Sequence, residues 1–139
     1  MQQELRRGRP LQLRVQIGLA LRILLAYAEV RRRLSKEPLP RLAATLGDVA
    51  RRREEPIPPR QLGWAIDRTL RIGSHRPRCI FNALVMYRLL REQGDPAVLV
   101  IGLPQEAITK DAHAWVELNG VDVGPPPGRA GHEPMARFE

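Results

Sequence analysis

Cys79 is the only cysteine in the chain, and it stands where a break-rich segment, Gly73-Ser74-His75-Arg76-Pro77-Arg78, gives way to a helix-like run from Ile80 to Gln93. The first turn of a helix leaves backbone N–H groups unpaired and carries partial positive charge. A thiol placed there, with Arg76 and Arg78 close by, should ionise more easily and so become nucleophilic. His113 follows in Ala112-His113-Ala114-Trp115-Val116-Glu117-Leu118, a strand signature that runs into Asn119-Gly120. A thiolate, an imidazole that takes and returns a proton, and free N–H groups for a developing oxyanion are the parts of cysteine-histidine acyl chemistry. Asn82, one turn after Cys79, is a candidate to polarise a substrate carbonyl. Trp115 shares a strand face with His113 and is a candidate wall of the site. Simpler readings stand beside these: a free cysteine is commonly inert core, a strand histidine commonly structural, an early-helix asparagine commonly a local backbone partner and a strand tryptophan commonly packing.

Those residues need elements to hold them. From Leu11 to Leu34, Val15, Leu19, Ile23, Ala26, Tyr27 and Val30 keep three- and four-residue spacing, and Arg31-Arg32-Arg33 suits the negative end of a helix. Pro38 and Pro40 interrupt the helix, and Leu42, Ala43, Leu46, Val49 and Ala50 form a second, shorter amphipathic face. Glu55-Pro56-Ile57-Pro58-Pro59 reads as a rigid connector, because its prolines remove donors and fix the backbone extended. Pro59 can seat the first turn of a third helix, Arg60 to Arg71, which Gly73 ends. After the cysteine helix, Gln93-Gly94-Asp95-Pro96 is a turn and Ala97 to Ile101 a strand buried on both faces. Ala112–Leu118 and Val121–Val123 flank Asn119-Gly120 as a hairpin that Pro125 cuts short. Helices followed by grouped strands make the class α+β. We divide the chain into a helical N-terminal region, 1–58, and a core, 59–139, that together form one compact unit.

Composition narrows the function classes. The net charge is +8 and comes almost wholly from arginine, with Lys36 and Lys110 the only lysines, so partners should be acidic; nucleic acid, an anionic membrane surface or an acidic peptide would each suit, and the peptide is expected before the membrane surface. No interleaving of aromatic and basic residues marks a nucleic-acid module, and no recognition-helix motif precedes Arg60 to Arg71. Arg14, Arg22 and Glu29 interrupt the apolar stretch Leu11 to Val30, which makes it a buried or surface amphipathic helix rather than a membrane span. No small-residue cleavage site follows it, so it does not read as a signal peptide. A single cysteine excludes an intrachain disulfide and fits a reducing compartment, the cytoplasm. His75 and His132 sit in breaker-rich loops, and a zinc site would need carboxylates to complete it, so neither a metal nor a cofactor is expected.

Taken together, Arg78-Cys79-Ile80, the helix end Leu89-Leu90-Arg91-Glu92-Gln93-Gly94, Val100-Ile101-Gly102, Ala112-His113-Ala114-Trp115-Val116-Glu117, Asn119-Gly120 and the closing Glu133-Pro134-Met135-Ala136-Arg137-Phe138 resemble the transglutaminase-like leader peptidases of lasso-peptide biosynthesis. The resemblance spans about Arg76 to Phe138. It implies a papain-like or transglutaminase-like α+β core with the nucleophile at a helix N-terminus packed on a small antiparallel sheet. It also implies a cysteine protease that removes the leader from a ribosomally made precursor, working with a leader-recognition partner protein before a lasso cyclase. Cys79 maps onto the nucleophile and His113 onto the general base. The resemblance also implies an aspartate where this chain has Pro125, which leaves Asp122 as the nearest carboxylate for the third place. With a two-residue turn, Glu117 opposes Asp122, which leaves roughly 13 Å to His113 at ~3.3 Å per residue. A bulge or another turn would be needed to close that gap. Otherwise a backbone carbonyl, a water or another polar side chain orients the imidazole. The alternative to the enzyme is a degenerate scaffold of the same fold that binds an acidic leader or partner.

Overall fold

The computed structural model describes residues 13–49, 56–71, 79–104, 113–124 and 132–139, apart from the side chains of Cys79, Leu103, Pro104, His132 and Glu133. Four helices are described: α1 (Leu13–Leu34), α2 (Leu39–Gly47), α3 (Pro59–Leu70) and α4 (Cys79–Glu92). They precede the strands β1 (Ala97–Pro104), β2 (His113–Leu118), β3 (Val121–Gly124) and β4 (His132–Phe138). The class is α+β, with the helices first.

Proline starts two of the helices rather than only ending others. Pro38 is the N-cap of α2 with Pro40 in its first turn, and Pro58 caps α3 with Pro59 following. A first-turn proline lacks only an N–H that the helix would leave unpaired anyway. α4 ends as its sequence demands: Gly94 takes φ 90°, the Gly94 N–H donates to the Arg91 carbonyl, and the Asp95 N–H donates to Leu90. That is a left-handed glycine closure of the last turn. The expected end of α3 at Gly73 and the expected helical Ala50 lie outside the described residues.

The spacing along α1 is realised on its inner side, where Leu19, Ile23, Ala26 and Val30 are buried, whereas Val15 is 42 % exposed. α1 grips α4 at two levels. The Tyr27 ring meets Phe81 edge-on at 5.8 Å, and Arg88 donates to Glu29, which Arg33 also holds at 3.2 Å. The connector is fixed to the far end of α4 by buried Gln93, which accepts from the Ile57 N–H and donates to the Ile57 carbonyl, both at 3.1 Å. Leu42, Leu46, Ile57, Leu62, Ile66, Leu84, Leu90, Leu99 and Val116 then belong to one continuous apolar cluster.

The sheet is wholly antiparallel with order β3-β2-β1-β4. β1 is central, with Leu99 and Val100 fully buried on its two sides. The hairpin forms as the Asn119-Gly120 pair requires, with φ 53° and 79° at the two turn residues. Leu118 faces Val121 and Glu117 faces Asp122, and Val123 is then bulged out so that Gly124 faces Val116. α3 comes close at that bulge: a Cβ on Gly63 would lie 3.3 Å from the Val123 carbonyl oxygen and 3.4 Å from the Met86 sulfur. β4 is an addition to the sequence expectation. Pro134 sits beside a bulge at the sheet edge, one of the few places where a strand tolerates a residue without an N–H.

Candidate active site

α4 opens at Cys79, so the backbone places this residue at the positive end of a 14-residue helix. The thiol itself, with Arg76, Arg78, His75 and Pro125, lies outside the described residues. Asn82 is 5 % exposed one turn further along, and its Oδ1 has no hydrogen-bond partner among the described residues. An amide oxygen held out of water gains from any N–H brought to it.

His113 is the first residue of β2, the strand on which α4 packs, and is half-buried. Its cross-strand neighbour on β1 is Gly102, which has no Cβ to crowd the imidazole. Trp115 is fully buried two residues on, with its ring 6.1 Å from the His113 ring and tilted 27° from it. The Trp115 Nε1–H donates to Glu117 Oε2 at 3.0 Å, and Arg137 on β4 donates to Glu117 Oε1 at 2.9 Å. One face of β2 therefore carries imidazole, indole and carboxylate in sequence, and the carboxylate, 2 % exposed, is compensated by a donor on each oxygen. Strand alternation puts all three on one side, while Ala114 and Val116 join the helix-packed cluster on the other.

Asp122 is opposite Glu117, as counting back from the turn requires, and its Oδ1 accepts the Gly124 N–H at 2.9 Å. The bulge comes after Asp122, at Val123, so it does not carry Asp122 toward His113. Four residues of strand still separate their levels, roughly 13 Å. Glu117 and Arg137 form a part-buried pair, further along the strand that carries His113, that the sequence reading did not single out. The signal was present in the alternation His113, Trp115, Glu117, but Arg137 required knowing that β4 pairs with β1.

Among the described residues no helix is long and apolar enough to cross a membrane. Comparison with known proteins yields one assignment. Searches of curated proteins and of solved structures give no significant match. A family model described as the transglutaminase-like superfamily matches residues 12–137, from the start of α1 to within β4. With almost its whole length matched, the chain belongs to the transglutaminase-like superfamily, which includes cysteine proteases.

Proposed function

We propose that the protein is a cysteine peptidase that removes the leader from a ribosomally made lasso-peptide precursor. Cys79 is the nucleophile and His113 the general base. The observation that carries this reading is that a helix opening at the lone cysteine packs on the strand headed by His113, in a chain of a superfamily that includes cysteine proteases; the helix covers the Ala114 and Val116 side of that strand, so the imidazole has to reach the sulfur around the strand's first residue. In the proposed reaction the Cys79 sulfur adds to the peptide carbonyl at the leader-core junction. The helix N-terminal N–H groups stabilise the oxyanion, and His113 delivers the proton to the departing amine. Water, deprotonated by His113, then releases the acyl group and restores the thiol. Asn82 would bind substrate beside the sulfur, and Trp115 would flank the imidazole. Asp122 would serve as third member only with a rearranged hairpin. A leader-recognition protein, and a cyclase acting afterwards, would be the partners in the cytoplasm.

The test is mass spectrometry of precursor incubated with the protein and its leader-binding partner. Wild type should release the leader, and Cys79→Ala and His113→Ala should bind precursor without cutting it. Cleavage retained by Cys79→Ala would end the proposal. The engagement of Asp122 by its own hairpin, away from His113, favours a second reading: a catalytically degenerate scaffold that binds an acidic leader or partner. That reading requires ordinary Cys79 reactivity, so fast alkylation near neutral pH that slows only in acid would exclude it.

A further inference from the structure

α1 is apolar on two opposite sides. Leu19, Ile23, Ala26 and Val30 face the core, while Leu13, Ile17, Leu21, Leu24 and Leu25 are 71, 55, 57, 38 and 71 % exposed. At 3.6 residues per turn, Ile17, Leu21, Leu24 and Leu25 fall within about 100° of arc directly opposite the buried side. The result is a ridge of aliphatic side chains some three turns long. Exposed Arg14 stands at one end of the ridge, and exposed Arg31 and Arg32 at the other. Glu29 is the only carboxylate on α1, and it is engaged by Arg33 and Arg88. The outward side thus combines uncovered aliphatic surface with positive charge and offers no free negative group.

We propose that this ridge seats the protein on an anionic membrane surface, with α1 lying in the interface. The charges argue against a second copy: parallel or antiparallel, α1 against α1 brings arginine onto arginine at the ends, and like charges facing across an interface are unfavourable. Shape argues for lipid. A protein partner would have to bring a groove shaped to this ridge, whereas a lipid interface conforms to any convex apolar surface. The leucines and Ile17 would enter the boundary between headgroups and acyl chains, and the arginines at the ends would reach lipid phosphates. Arg6, Arg7 and Arg9, just ahead of α1 in the sequence, add charge of the same sign. This proposal does not depend on the chemistry at Cys79.

The test is co-sedimentation of the full chain with vesicles of phosphatidylcholine alone and of phosphatidylcholine mixed with phosphatidylglycerol. Binding to the mixed vesicles should exceed binding to the neutral ones by about tenfold and should weaken as salt rises. Leu21→Glu with Leu25→Glu should lose about tenfold of that binding at unchanged thermal midpoint, since both side chains face outward. Arg14→Glu with Arg31→Glu should remove only the preference for anionic lipid. Cys79→Ala should bind vesicles like wild type, whatever becomes of peptide cleavage. Absence of vesicle binding would overturn the proposal. So would binding that the leucine variant retains, because that is adsorption of any basic protein. A wild-type dimer that the leucine variant converts to monomer, without vesicle binding, would instead assign the ridge to a second copy.

Discussion

At the scale of single residues, Glu117 and Tyr87 are two buried polar groups in opposite situations. Glu117 is compensated on both oxygens, by Trp115 and by Arg137, whose own side chain is 47 % exposed. Glu117→Ala leaves the indole N–H without its acceptor inside the sheet and should cost about 2 kcal/mol, between the values for a surface pair and a fully buried one. Urea unfolding would measure it, and an unchanged midpoint would show that the carboxylate is not needed there. The Tyr87 hydroxyl is buried with no hydrogen-bond partner among the described residues. Burial pushes its phenol above the ordinary tyrosine range; Arg91 pulls it down and Glu139 adds to the rise. The folded protein therefore keeps this proton when the unfolded chain releases it, so stability should fall as pH rises past about 10. Tyr87→Phe should lessen that fall and should be neutral or stabilising by up to about 1 kcal/mol near pH 7. Urea midpoints at neutral and alkaline pH distinguish the two cases.

At the scale of elements, the hairpin joining β2 to β3 depends on its turn rather than on packing. Gly120 has φ 79°, yet a Cβ there would meet nothing within 4 Å. Gly120→Ala should therefore cost about 1 kcal/mol through backbone conformation alone, seen as a lowered denaturation midpoint with the rest of the sheet intact. This hairpin was also the most legible element, because Asn119-Gly120 fixes the turn and the turn fixes which residues pair. The prolines divide: Pro59 was legible as a helix start, but Pro38 and Pro40 read only as a break, whereas Pro38 caps α2 and Pro40 sits in its first turn, where an N–H is dispensable. β4 was hidden for a related reason: Pro134 argues against a strand until an edge bulge accommodates it. At the candidate site, Cys79 at a helix start and His113 at the head of a strand were legible from local signals. The Arg137 to Glu117 pair was not, since it joins strands distant in sequence.

At the scale of the whole molecule, the apolar cluster takes residues from every described helix and from the sheet. Leu46, fully buried on α2, is part of it. Leu46→Ala should cost ~3 kcal/mol, and helical circular dichroism and the fluorescence of buried Trp115 should shift to the same lower denaturant midpoint. Separate midpoints would show that α1 and α2 form a subdomain of their own. On the ribosome, the sheet order becomes a schedule. Of the four described strands β4 is made last, yet it pairs with β1, the first made, and forms one edge of the order β3-β2-β1-β4. Until residue 137 emerges, β1 keeps an open edge and Glu117 lacks the Arg137 guanidinium, so the strand carrying His113 gains that charge partner only after β4 has been made.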